Sequence, residues 1–123
     1  MKRDIKVIKY VLEEIEELQE SGPISLEFDD VRFSIDQLNY HINILTDAGF
    51  VEGEIKGDMG GGQINFIRSI TWQGHDLLDA LRNEKAVEMA EKEAEKQGSK
   101  LNDLPIEVVK SLVIASAKQL FGL

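Results

Sequence analysis

The sequence predicts a mixed α+β fold. Three observations carry this: apolar residues at helical spacing near both ends, a serine–glutamine cap at an internal helix start, and two alternating runs divided by a glycine-rich loop. With 123 residues, 42% of them hydrophobic, the chain suits one structural domain with one core.

Ile5, Ile8, Leu12 and Ile15, with Val11 and Leu18 beside them, predict a first helix over 4–20 with a single buried stripe. Ser21-Gly22-Pro23 ends it. Glu13, Glu14, Glu16 and Glu17 crowd its C-terminal half, against the helix dipole, and form a solvated face. Ile24, Leu26 and Phe28 then alternate with polar residues as a short strand does, and Asp29-Asp30 turns the chain.

The clearest local signal follows. Ser34 and Gln37 form a capping box, and Phe33 and Leu38 are placed to close a hydrophobic staple, so a helix starts at Ile35. Its expected core face is Ile35, Leu38, Ile42 and Leu45. Gly49 suits a left-handed cap, with Phe50 folding back onto the helix.

Residues 50–56 and 63–72 predict two strands joined by Gly57-Asp58-Met59-Gly60-Gly61-Gly62. Ile64, Phe66, Ile70 and Trp72 carry the apolar content of the second strand. Phe66-Ile67 breaks the alternation, and a bulge is expected there. After Gly74, a third helix over 76–97 is anchored by Leu77, Leu78 and Leu81. Its apolar stripe thins to Val87, Met89, Ala90 and Ala94, and Gly98 ends it. Asp103, with Pro105 in the first turn, starts a last helix. Ile106, Val109, Val113 and Leu120 line one face of it, widened by Val108, Leu112 and Ala115.

The order helix, short strand, capped helix, hairpin, helix is that of a winged helix. The helix from Ser34 takes the recognition position and the 50–72 hairpin is the wing. Few residues separate the first helix from the capped one, so the helix-turn-helix is degenerate. The expected organisation is a winged-helix-like core over 1–82, then a helical C-terminal extension over 83–123 that packs on the core or on a second subunit.

Composition excludes several function classes. There are no cysteines, which removes disulfides, thiolate zinc sites and cysteine nucleophiles, and fits a cytoplasmic setting. No signal core follows Met1-Lys2-Arg3-Asp4, and no apolar run is long enough to span a membrane. The formal net charge of -9 repels nucleic acid and anionic lipid and favours a basic partner.

Met1-Lys2-Arg3-Asp4 before an Ile/Leu helix, Tyr40-His41-Ile42 with Leu45, Ala48-Gly49-Phe50-Val51-Glu52, Thr71-Trp72-Gln73-Gly74-His75-Asp76 with Leu78-Asp79-Ala80, and Leu120-Phe121-Gly122-Leu123 together resemble a bacterial and prophage domain-of-unknown-function family, number twenty-five-thirteen. The resemblance covers nearly the whole chain, and its Thr-Trp-x-Gly-His-Asp run is the most specific part. It implies a bacterial or phage origin and a winged-helix core, and no activity.

The chemistry-bearing residues favour binding over catalysis. His75 and Asp79 at helical spacing, with His41 elsewhere, sketch a metal or acid–base site, which is the enzyme alternative. His75 read as a cap or packing residue at a helix start, and His41 as a partly buried, hydrogen-bonded residue, weigh more. Gly60-Gly61-Gly62 lacks the Lys-Ser/Thr of a phosphate loop, and no nucleophile elbow is present. No cofactor and no small-molecule substrate are expected.

The outward face of the capped helix should be Asp36, Gln37, Tyr40, Asn43, Ile44 and Asp47. Of these, Gln37, Tyr40, Asn43 and Ile44 form the expected contact face. Gln37 and Asn43 fit adenine readout. Yet no Lys or Arg lies between Ser34 and Phe50. The candidate phosphate contacts are Arg32, Lys56 and Arg68, with Lys2, Arg3, Lys6 and Lys9 on the first helix, and reaching the roughly 6–10 contacts of a specific DNA complex would need a dimer with most of these cations on one side. The sequence therefore favours a small non-catalytic regulator acting on a protein partner or on a second copy of itself, as a homodimer. A DNA-binding regulator and an acidic decoy for a basic groove are the alternatives.

Overall fold

The structure is a computed structural model that describes residues 1–18, 23–26 and 32–123. It is mixed α+β, with five helices, one 3-10 turn and a three-stranded antiparallel sheet among these residues. Contacts divide the chain into two compact units, Met1–His75 and Asp76–Leu123.

The first unit opens with helix α1, Ile5–Leu18. Asp4 caps it, its Oδ1 accepting from the Lys6 N–H at 2.9 Å. Val7, Ile8, Val11, Leu12 and Ile15 are buried along its inner stripe. The expected stop at Ser21-Gly22, and Phe28 with Asp29-Asp30, lie outside the described residues.

Strand β1 is Ile24–Leu26 and helix α2 is Ile35–Asp47. Both halves of the capping box form. The Gln37 N–H donates to Ser34 Oγ at 3.1 Å, and the Ser34 N–H donates to Gln37 Oε1 at 3.1 Å. Phe33 stands against the Tyr10 ring of α1, with centroids 5.5 Å apart. At the other end Gly49 takes φ +80°, the Phe50 N–H donates to Leu45 O, and the Gly49 N–H donates to Thr46 O. These two bonds satisfy carbonyls that the helix leaves open, as a Schellman cap does.

The core face of α2 is Leu38, His41, Ile42 and Leu45. The expected Ile35 is instead 54% exposed, because the first helical residue looks out over a groove described below. His41 takes a core position and is fully buried. Its Nε2 accepts from the Asp4 N–H at 2.8 Å, and its Nδ1–H donates to Gln37 O at 2.6 Å. An acceptor Nε2 opposite a backbone donor assigns the proton to Nδ1. The imidazole thus ties the start of α1 to α2 in a place no apolar residue can fill equally.

Strands β2, Val51–Gly57, and β3, Gln63–Ile70, form the hairpin, and β1 pairs on the other side of β3. The bulge falls one residue later than the sequence indicated. Glu52 faces Ser69 and Gly53 faces Ile67, which leaves Arg68 as the extra residue. Gly53 presses on the Phe66 carbonyl there, and a Cβ would collide with it.

Two expectations for β3 are corrected. Asn65 and Ile67 point inward, while Ile64 and Phe66 are 38% and 42% exposed. The extra residue changes the phase, so that Ile67 and Ile70 share the inner face despite odd spacing. Trp72 is not in the strand. It starts helix α3, Trp72–Arg82, and is 81% exposed. The start of α3 is stitched to the end of α2: the Thr71 hydroxyl donates to Gly49 O at 2.6 Å and accepts from the Gly74 N–H at 3.1 Å. Gly74 lies so close to the Phe50 carbonyl and Ile70 that no Cβ fits.

In the second unit the expected single helix over 76–97 is broken. Asn83 ends α3 and caps α4, Glu84–Lys96, its side chain accepting from the Ala86 N–H at 3.1 Å. Ala86, Ala90 and Ala94 form its buried stripe, and their small side chains allow α5 to pack closely. Leu101–Asp103 is a 3-10 turn, Pro105 stands at the cap, and α5 is Ile106–Leu120. Asp103 therefore belongs to the turn before the last helix rather than to its start. Val109, Val113 and Ser116 are the buried residues of α5, whereas the expected Leu120 is 44% exposed.

Candidate polar groove

Part of the outward face of α2 borders a groove of about 750 Å³, within the size range of ligand pockets, and forms one wall of it. Ile35, Asp36, Asn39, Tyr40 and Asn43 supply that wall at helical spacing. The β2–β3 loop supplies further lining through Asp58 and Gly60 to Gly62. Leu26 of β1 and Gln63 and Asn65 of β3 complete the lining.

Asp58 shapes its own loop. Its Oδ1 accepts from the Gly60 and Gly62 N–H groups, each at 2.8 Å, and its N–H donates to Gly62 O at 3.0 Å. Gly61 takes φ +85°, which favours glycine. The loop is therefore built by an aspartate turn instead of being an unstructured tip.

Four carboxamides connect the walls. Gln63 Nε2 donates to Asn43 Oδ1 at 3.1 Å and to Asn65 Oδ1 at 2.7 Å. Asn43 Nδ2 returns a longer bond to Gln63 Oε1 at 3.4 Å. Asn65 Nδ2 reaches Leu26 O at 3.4 Å and Asn39 Oδ1 at 3.5 Å. Asn65 is 3% exposed, and no buried side-chain nitrogen or oxygen among the described residues lacks a partner. A satisfied amide network of this kind holds a strand and a helix in one fixed relation.

Some hydrogen-bonding capacity is left over. Among the described residues, the Tyr40 hydroxyl, the Asn39 Nδ2 hydrogens and Asp58 Oδ2 make no hydrogen bond, and Asp36 has no ion-pair partner. The Tyr40 ring stands edge-on to the His41 ring, with centroids 5.4 Å apart. Among the described residues the groove thus offers donors, acceptors, an aromatic ring and two carboxylates, and no Lys or Arg lines it.

The expected contact residues divide. Tyr40 and Asn43 line the groove. Gln37 is committed to the capping box, and Ile44 is half-buried outside the lining. Asn39, Gln63, Asn65 and Asp58 were not anticipated. Their sequence signal is faint: two amides at i, i+4 on a helix, two more at alternate strand positions, and an Asp two residues before a Gly run.

The candidate phosphate contacts are not gathered around this groove. The Arg32 guanidinium lies over the Tyr10 and Phe33 rings, 5.1 and 5.7 Å from their centroids. Lys56 pairs with Glu54 at 3.7 Å, and Arg68 is exposed at the bulge. His75 and Asp79 are both exposed on α3, and the Asp79 carboxylate lies 3.9 Å from Arg82 Nη1. Among the described residues no cluster of three or more His, Cys, Asp or Glu side chains is placed to hold a metal ion. No helix of the described residues is long and apolar enough to cross a membrane.

These features define a small α+β domain with a built polar groove on one face of its sheet unit. The chain belongs to the family described as hypothetical protein DUF2513, whose model matches residues 2–100. The match contains every groove residue and stops before α5. The chain is also similar to an uncharacterized protein of Haemophilus influenzae, with 32% identity over 85 residues, 68% of this chain and 70% of that one. No solved structure matches the chain.

Proposed function

We propose that this chain is a small, non-catalytic regulatory protein of bacterial or prophage origin that works by holding a segment of a protein partner in the groove between α2 and the β2–β3 loop. The observation that carries this reading is the groove lining: among the described residues, carboxamides, a tyrosine with an uncommitted hydroxyl and two carboxylates, without a cation. A polypeptide presents alternating N–H and C=O groups that such carboxamides match. Phosphates would meet Asp36 and Asp58 at close range, which disfavours DNA.

The reading treats the first unit as a degenerate winged helix. The order α1–β1–α2–β2–β3, with β3 in the middle of the sheet, supports it, with α2 in the recognition position and the hairpin as wing. A cytoplasmic homodimer completes the reading, supported by Val108, Ile114, Leu120 and Phe121, which expose apolar surface on α5 and its cap.

Selection from a displayed random-peptide library tests the reading. Peptides recovered on the wild-type chain and lost on a Tyr40→Ala/Asn43→Ala variant are the expected result. No such peptides, together with duplex DNA binding that weakens steeply between about 50 and 200 mM salt, would replace the protein partner by nucleic acid.

A further inference from the structure

We infer that the groove takes an extended, arginine-bearing polypeptide segment, its guanidinium held between Asp36 and Asp58 and against the Tyr40 ring. This rests on the reading of the groove as a polypeptide site and names the chemistry of its occupant.

The carboxylates come from different elements, Asp36 from the first turn of α2 and Asp58 from the loop. Neither has a cationic partner among the described residues, and no cation lines the groove to neutralise them. A cleft lined by one sign of charge focuses the field and concentrates the opposite sign. Asp58 uses Oδ1 to hold its loop and keeps Oδ2 for a ligand. One turn along α2 from Asp36, Tyr40 offers a ring face for a cation and a hydroxyl for a hydrogen bond. The same chain already uses this pairing where Arg32 lies over Tyr10.

The remaining lining fits the rest of such a segment. Asn39 keeps its amide hydrogens for a backbone carbonyl, and the exposed Ile35 gives apolar surface on which an arginine stem can lie. Arginine fits better than lysine, because its planar fork matches a carboxylate and stacks on an aromatic ring.

The test is fluorescence anisotropy on the full chain, at about 50 and 200 mM salt, with short labelled peptides of one length that carry Arg, Gln or Glu at the same positions. The Arg peptide is expected to bind best and to weaken with salt. The Asp36→Asn/Asp58→Asn variant is expected to weaken it about fivefold or more. An asparagine in the loop still offers the side-chain oxygen that staples it, so the fold of the groove wall is kept. Removing as many charges from α4, in Glu88→Gln/Glu91→Gln, should change binding by less than about twofold.

Equal weakening by the two double variants would overturn the proposal, because the net charge of -9 and not the groove would then hold the peptide. Gln or Glu peptides that bind as tightly as the Arg peptide, and are lost in Tyr40→Ala/Asn43→Ala, would overturn the arginine and leave the groove as a polypeptide site. Failure of all three peptides would overturn the arginine segment and the polypeptide reading together.

Discussion

Gln63, the first residue of β3, is paired through its side-chain amide with Asn43 on α2: its Nε2 donates at 3.1 Å and its Oε1 accepts at 3.4 Å. The same nitrogen donates to buried Asn65 at 2.7 Å. With the Asn65–Asn39 bond, this amide links the hairpin to the helix that walls the groove. Gln63→Ala strips a donor from Asn65 and should cost about 1–3 kcal/mol in urea unfolding. Gln63→Glu should cost more, because an acceptor-only carboxylate then faces two carbonyl oxygens.

His41 links the start of α1 to α2 through the Asp4 N–H. His41→Leu keeps the volume and loses that acceptor. The expected destabilisation is about 1–3 kcal/mol, and hydrogen exchange at the first turn of α1 should accelerate. Exchange there unchanged from the wild type would show that the bond does not hold α1.

Leu38 and Tyr40 lie close in sequence but serve different faces of α2. Leu38 is 1% exposed, and Leu38→Ala should cost about 2–5 kcal/mol through lost packing. Tyr40 lines the groove, and Tyr40→Ala should cost about 1 kcal/mol or less while impairing partner binding. Equal falls in melting temperature would contradict this assignment of faces.

The glycines differ in the same way. Gly74→Ala drives a Cβ into the Phe50 carbonyl, where backbone must move, and should cost about 3 kcal/mol or more. Gly60→Ala meets only Asp58 Oδ1, at 3.5 Å, and should be close to neutral, within about 0.5 kcal/mol. Thermal unfolding of the two variants compares them directly.

Local signals were the most legible part of the fold. Ser34 with Gln37 and Gly49 with Phe50 place both ends of α2, because each acts through bonds a few residues apart. The inner face of β3 was not legible. The apolar content of the strand falls on Ile64 and Phe66, but the bulge at Arg68 changes the phase, and Asn65 is buried with its amide met by Gln63, Asn39 and Leu26 O. Most of those partners are distant in sequence. Asn83 hid within a helical run because an asparagine there reads equally as a helix residue or a cap. Tyr40 and Asn43 were legible as an outward face. That the face is walled by the Asp58 loop depends on the hairpin's position, which no local pattern encodes.

The central claim is that partner binding occurs in this groove. The most direct measurement is amide chemical-shift mapping of the isotopically labelled chain with a peptide recovered by the display selection. The claim predicts shifts at Asn39, Tyr40, Asn43, Gly60 to Gly62 and Gln63. Shifts confined to α5, or to the exposed Ile64 and Phe66 of the sheet, with the groove amides unmoved, would contradict it.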